Sequence, residues 1–111
     1  MLDRVSVHFA TPASAAKLRA EGAAETRGTI ASADALFSRL AQALEFPDYF
    51  GHNWDALNDC LRDVPGDVVL LLHDAGTLWR EAPDVATELV DIWLAAAEEH
   101  EGKLHLVFVW S

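Results

Sequence analysis

The chain has 111 residues, of which 51% are hydrophobic and 23% are charged, and its formal net charge is −10. This size and composition are typical of a folded globular protein, and we expect residues 1–111 to form a single domain with one core. The acidic balance argues against nucleic-acid binding through phosphates, which requires a basic surface. It favours a basic protein partner instead, although acidity also serves solubility alone.

The sequence predicts neither an N-terminal signal peptide nor a membrane span. The N-terminal residues contain an early acid, Asp3, and no long apolar run, so they do not resemble a signal peptide. No stretch approaches the roughly 18 apolar residues of a membrane span. The lone Cys60 excludes an internal disulfide. We therefore expect a reduced, cytoplasmic protein, with no cofactor and no membrane association.

The first third of the chain predicts one strand and two helices. Val5–Phe9 alternates apolar and polar residues, which indicates a short first strand. A helix over Ala13–Ala20 follows, with Gly22 as its stop. Ala23–Ile30 is ambiguous, because its Glu-Thr-Arg-Gly stretch is too polar for a buried central strand. The spacing of apolar residues then predicts a helix over Ala33–Leu44.

The most informative stretch, FPDYFGHNWDALNDCL, begins at Phe46 and predicts a turn, a cap and a helix over Trp54–Val64. Asn53 can accept a backbone N–H from the first turn and so begin that helix. Successive residues advance by about 100°, which divides the helix into two faces. The polar face comprises Asp55, Asn58, Asp59 and Arg62, and the core face Ala56, Leu57, Cys60, Leu61 and Val64. On that core face, the thiol is expected to be a small buried group rather than a nucleophile.

Two interpretations of the paired aspartates remain open. Asp55 and Asp59 lie four residues apart and repel each other, which suggests that they are directed at a positive partner. Alternatively, Asp55 is favoured by the helix dipole, and Asp59 is solvated and partly neutralised by Arg62 or Arg80.

The remaining elements alternate again between strand and helix. Val68–Leu72 is a continuous apolar run, typical of a strand buried on both faces. A short helix near Gly76–Arg80 follows, and Pro83 can open a last helix that Gly102 caps. Leu104–Trp110 is the predicted closing strand. Strand–helix–strand order indicates a small α/β fold with a parallel sheet.

The motif stretch closely resembles the central motif of the barstar family, the intracellular inhibitors of secreted ribonucleases. The ungapped match covers 16 residues, including Tyr49-Phe50, Gly51, Asn53, Asp55-Ala56-Leu57 and Asp59-Cys60-Leu61. A weaker resemblance extends from about residue 30 to residue 111, whereas residues 1–29 are less clearly covered. The resemblance implies a three-stranded parallel sheet with helices packed against it. It also implies a non-enzymatic inhibitor that is a monomer when free.

In that family, an acidic helix and the loop before it plug the cationic active site of a small basic ribonuclease. The resemblance implies partner-binding roles for Tyr49, Gly51, Asn53, Trp54, Asp55, Asn58, Asp59 and Arg62. Asp59 corresponds to the acid that meets the phosphate-binding Arg and Lys groups of the partner. Arg62 departs from the family pattern and would repel a basic site unless it turns aside or pairs with Asp59. Glu99 and Glu101 are candidates for a second contact patch.

Two rival functions follow from the same residues. The first is an interaction or immunity module of the same fold for a different basic protein or toxin. The second, less favoured, is a small metal-dependent hydrolase that uses His52, Asp55 and Asp59. No pair of histidines has the spacing of a known metal motif, so no metal site is predicted. His8 and His105 lie in predicted strands, where hydrogen-bonded structural roles are expected.

Overall fold

The computed structural model describes residues 6–110, which form five helices and four strands. In chain order these are β1 (Val7–Ala10), α1 (Pro12–Ala20), β2 (Ala24–Glu25), α2 (Ala33–Leu44), α3 (Trp54–Asp63), β3 (Val68–Leu72), α4 (Ala75–Glu81), α5 (Pro83–Glu99) and β4 (Leu104–Val109). The predicted bounds of α2 and β3 are confirmed. Val5, the predicted start of the first strand, lies outside the described residues, as do residues 1–4 with the early acid Asp3. No helix within residues 6–110 is long and apolar enough to cross a membrane.

The four strands form one sheet in the order β1-β4-β3-β2, and every pairing is parallel. The α/β class and the parallel sheet are therefore confirmed, but the predicted number of three strands is wrong. Both β1 and the ambiguous segment before α2 join the sheet, one at each edge. The inner pair, β3 and β4, is the most apolar, as expected for strands covered on both faces.

Helices cover the two faces of the sheet unequally. The larger core lies between one face and helices α2 to α5, and it includes Leu70, Leu106 and Trp93, all fully buried. The opposite face carries a smaller cluster, in which Leu71 and Val107 pack near α1. Alternate residues of β3 and β4 thus enter opposite cores, which follows from the two-residue period of a strand. Four of the five helices therefore lie on one side.

The short strand β2 is polar because it is an edge strand whose side chains find charged and polar partners. Glu25 accepts hydrogen bonds from Arg19 Nε at 2.9 Å and lies 2.7 Å from His73 Nε2. Thr26, nearly fully buried, accepts a hydrogen bond from the backbone N–H of His73 at 3.1 Å. The polarity of this segment is therefore compatible with an edge strand, of which only one edge is paired, although it argues against a central strand.

The end of α5 differs from the sequence prediction. Gly102 was expected to cap α5, but the helix ends at Glu99 with His100 in extended conformation as its cap. Gly102 is required for a different reason, because a Cβ there would lie 2.6 Å from the backbone oxygen of Gly66 in the turn before β3.

The structural role expected for the two strand histidines is confirmed. His8 Nε2 on β1 lies 3.0 Å from His105 Nδ1 on the neighbouring strand β4.

Glu25 generates a prediction about stability at acidic pH. Its hydrogen bond with His73, aided by Arg19, holds the pKa of the Glu25 carboxyl below its ordinary value of 4.5, against the opposing effect of burial. A lowered folded-state pKa stabilises the fold above the unfolded-state pKa, and this stabilisation is lost as pH falls through the folded value. Glu25→Gln should therefore lower the free energy of unfolding near neutrality and have progressively less effect below about pH 4.5.

Urea unfolding of both proteins across this pH range measures the difference. Glu21→Gln is the matched control, because Glu21 is exposed at the C-terminal end of α1, four residues before Glu25. Its effect near neutrality should be small. A Glu25→Gln effect that stays constant from neutral to acidic pH would contradict the assignment.

Candidate partner-binding site

The turn before α3 has one aromatic side chain buried in the core and the neighbouring one exposed to solvent. Phe50 is buried, and its ring packs against Phe46 and Phe37 at centroid distances of 5.1 and 6.3 Å. The neighbouring Tyr49 is 86% exposed. The Phe50 anchor therefore presents Tyr49 on a loop whose base is fixed by the core.

The first turn of α3 is organised by a side-chain cap. Asn53 Oδ1 accepts a hydrogen bond from the backbone N–H of Ala56 at 2.8 Å, which confirms the cap predicted from the sequence. Gly51 lies directly against this cap, because a Cβ at that position would be 3.3 Å from Asn53 Nδ2. The small residue leaves room for the capping amide. Gly51 and Asn53 thus shape the junction between the loop and the helix.

Helix α3 separates apolar and acidic side chains in the predicted way. Leu57 and Leu61 are fully buried in the main core. Asp55 and Asp59 are both exposed on the other side of the helix. The two leucines fix the rotation of the helix about its axis, since turning it would expose them. The carboxylates are therefore held outward by burial elsewhere on the same helix.

Trp54, Asn58 and Cys60 are partly buried residues of α3. Trp54 packs edge-on against Phe37 with ring centroids 5.0 Å apart. The side-chain oxygen of Asn58 is buried without a hydrogen-bond partner among the described residues. Burial, followed by the charges of Asp63 and Asp59, raises the pKa of the Cys60 thiol. A raised pKa disfavours the thiolate, which agrees with a structural cysteine rather than a nucleophile.

Arg62 connects the acidic face of α3 to α5. Its Nη2 lies 2.5 Å from Asp59 Oδ1, and its Nη1 lies 3.4 Å from Glu99 Oε2. The hydrogen bond with Asp59 is the main reason that the pKa of the Arg62 guanidinium is raised above its ordinary value. Arg62 therefore links Glu99, a candidate for the second contact patch, to the acidic face of α3. Glu101 is exposed in the turn beyond α5.

A second contact brings the C-terminal ends of α3 and α5 together. His100 Nε2 lies 2.6 Å from the backbone carbonyl oxygen of Val64, the residue that caps α3. Helix carbonyls at this end have no partner within the helix, so a side-chain donor satisfies one of them. Sequence reasoning missed this link and the role of Phe50 as an anchor. The sequence signal available for the link to Val64 was a histidine, His100, directly after the predicted last helix.

The residues of the hydrolase hypothesis are not gathered into one ligand set. His52 Nδ1 lies 3.4 Å from Asp34 Oδ1, and the imidazole ring packs near Phe37 and Phe50. Among residues 6–110, no group of three His, Cys, Asp or Glu side chains is arranged to hold a metal ion. His52 therefore belongs to the aromatic base of the loop, beside α2.

An exposed acidic face on α3, preceded by an anchored loop, is suited to docking against a basic protein. The model of a protein family described as Barstar (barnase inhibitor) matches residues 25–109. The chain therefore belongs to the barstar family, as the central motif predicted. Members of this family are inhibitors that bind ribonucleases such as barnase. Among curated proteins, none matches the sequence.

The cap of α3 generates a stability prediction. Asn53→Ala removes the acceptor for the Ala56 amide and should lower the free energy of unfolding by about 1 kcal/mol. Asn53→Asp keeps a side-chain oxygen at the same position and places a negative charge at the positive end of the helix dipole, so it should cost far less. Urea unfolding of the two variants provides the comparison. Equal losses would mean that the cap does not depend on the side-chain acceptor.

Proposed function

We propose that this protein inhibits a small basic ribonuclease by placing the acidic face of α3, and the loop before it, in the active site of the enzyme. The observation that carries the proposal is the exposure of Asp55 and Asp59 on a helix whose other face is locked in the core. Family membership supports the class of partner. A net charge of −10 supports attraction to a basic surface.

Inhibition of this kind requires no chemical step. Ribonucleases bind the phosphates of RNA with cationic side chains, and carboxylates can take the same hydrogen bonds. In the proposed complex, Asp59 meets these cations, and Asp55 and Asn58 lie beside it on the same face. Tyr49 and Trp54 contribute aromatic contact at the mouth of the site, where large rings give much of the affinity of an interface. The bound helix then excludes RNA from the site.

The cell interior is the proposed location of the protein. A single, partly buried cysteine needs no oxidising environment, and its raised pKa limits its reactivity. An inhibitor held in the cytoplasm would act as an antitoxin, neutralising ribonuclease before export or after entry. No nucleic-acid binding by the inhibitor itself is involved, because its surface has the wrong charge.

A related function is favoured by one specific feature, the cation of Arg62 on the acidic face. The same fold would then serve as an immunity module for a basic toxin whose contact surface accommodates a guanidinium. Binding of a toxin without inhibition of RNA cleavage would favour this alternative. Stoichiometric loss of RNA cleavage would favour ribonuclease inhibition.

The first binding prediction compares two aspartates of the same segment. Asp59→Ala should weaken binding to an inhibited ribonuclease by tenfold or more, because a desolvated contact between opposite charges is lost. Asp48→Ala is the matched control, since Asp48 is exposed in the turn outside the helix. Barnase is the first ribonuclease to test, with RNA cleavage measured during titration by each variant.

Both variants should remain folded, because neither side chain is buried. Asp59→Ala removes the repulsion between Asp55 and Asp59, but it also removes the attraction between Asp59 and Arg62. Little change in melting temperature is therefore expected. Normal inhibition by Asp59→Ala, or unfolding of that variant, would show that the interface lies elsewhere.

The second binding prediction concerns ionic strength. Opposite net charges accelerate encounter, and salt screens this attraction over a Debye length of about 10 Å at 0.1 M. Stopped-flow association should therefore slow steeply as sodium chloride rises, whereas the dissociation rate should change much less. An association rate that does not respond to salt would remove charge steering from the account.

A further inference from the structure

The acidic surface contains its own cation. Arg62 lies between two carboxylates that come from different helices, Asp59 on α3 and Glu99 on α5. The side chains of these two acids are about two-thirds exposed, at 67% and 66%. Both acids therefore remain accessible to a partner, but in the free protein their nearest cation is internal.

We propose that Arg62 is a specificity-determining residue, an internal counter-ion that a partner must displace from Asp59 and Glu99 before its own cations can bind there. This inference rests on the proposed function and assigns a selection mechanism to the same site. Removal of the guanidinium should make the surface more accessible to cationic partners in general.

The guanidinium is well suited to occupy both acids at once. Its two terminal nitrogens point along different directions of a rigid plane, so one contacts Asp59 while the other contacts Glu99. A lysine would supply the same charge at a single point and could not span the two carboxylates in this way. The pKa of Arg62 is raised by these contacts, so the cation persists at any physiological pH.

Displacement creates a requirement on the partner. A cationic active site brought against α3 would repel the released guanidinium, and repulsion between like charges strengthens as water is excluded. The partner must therefore receive Arg62 with a carboxylate or a backbone carbonyl beside its cationic groups. Basic proteins that lack such an acceptor are disfavoured, which is discrimination by an unfavourable contact.

The test uses three variants and two cationic probes. Arg62→Ala removes the counter-ion, and Arg62→Lys keeps its charge without the two-pronged contact. Arg27→Ala is the control for net charge, because Arg27 is exposed in the loop after β2 and its loss changes the overall charge by the same amount. The probes are a tetra-arginine peptide and barnase, with affinities measured by isothermal titration and melting curves recorded for each variant.

Arg62→Ala should bind the peptide about two- to fivefold more tightly than Arg27→Ala does, as expected for release of two exposed carboxylates. With barnase, where the proposed contact would exclude water, the difference should reach about tenfold. Arg62→Lys should fall between the native protein and Arg62→Ala for both probes. This order supports a counter-ion that competes with the partner.

Equal affinities of Arg62→Ala and Arg27→Ala for both probes would overturn the inference, even if the native protein inhibits barnase. Weaker binding by Arg62→Ala would also overturn it, since Arg62 would then position Asp59 for the partner. If the native protein fails to bind barnase while Arg62→Ala gains affinity for the peptide, the counter-ion stands and the ribonuclease proposal fails. The two claims are therefore separable.

Discussion

The parallel pairing of β3 with β4 is the constraint on which the rest of this structure depends. Parallel neighbours must be joined by a crossover, and here each strand is preceded by a helix on the same face of the sheet. Those helices, α3 and α5, pack against each other with their C-terminal ends together. Residues 37 positions apart in sequence, Arg62 and Glu99, meet for this reason.

The same packing resolves a conflict of charges. Glu99 lies in the last turn of α5, where the helix dipole is unfavourable to an acid, and Asp59 lies one turn from the like-charged Asp55. Arg62 contacts both acids and offsets part of each penalty. Asp55 lies in the first turn of α3, where the helix dipole favours an acid, so the electrostatic cost to the fold falls mainly on Asp59 and Glu99. Side chains that are held against local preference in this way are typical of a surface kept for a partner.

Local patterns were sufficient to predict most of the elements. The bounds of α2 and β3 and the cap at Asn53 depend on apolar spacing and on one side-chain oxygen, both readable from neighbouring residues. The segment that forms the edge strand β2 is ambiguous in the sequence, because its two residues are defined by a partner strand and by contacts from Arg19 and His73. Such contacts carry no local hydrophobic pattern.

In the candidate site, too, local sequence patterns predicted some features, and tertiary packing decided the others. The exposure of Asp59 followed from the helical period, and its pairing with Arg62 was foreseen as one way to reconcile that residue with an acidic face. The contact with Glu99 depended on how two helices pack, which periodicity does not reveal. The link from His100 to Val64 likewise joins residues 36 positions apart. Tertiary packing thus decides which acids belong to one surface.

The proposed inhibitory surface consists of α3 and the loop before it. Backbone hydrogen exchange, measured on the protein alone and when saturated with a ribonuclease that it inhibits, tests this most directly. Slower exchange is expected from Tyr49 through the first turns of α3 and around Glu99, with α1 on the other side of the sheet unchanged. Slower exchange confined to α1 and β1, with the α3 loop unaffected, would contradict it.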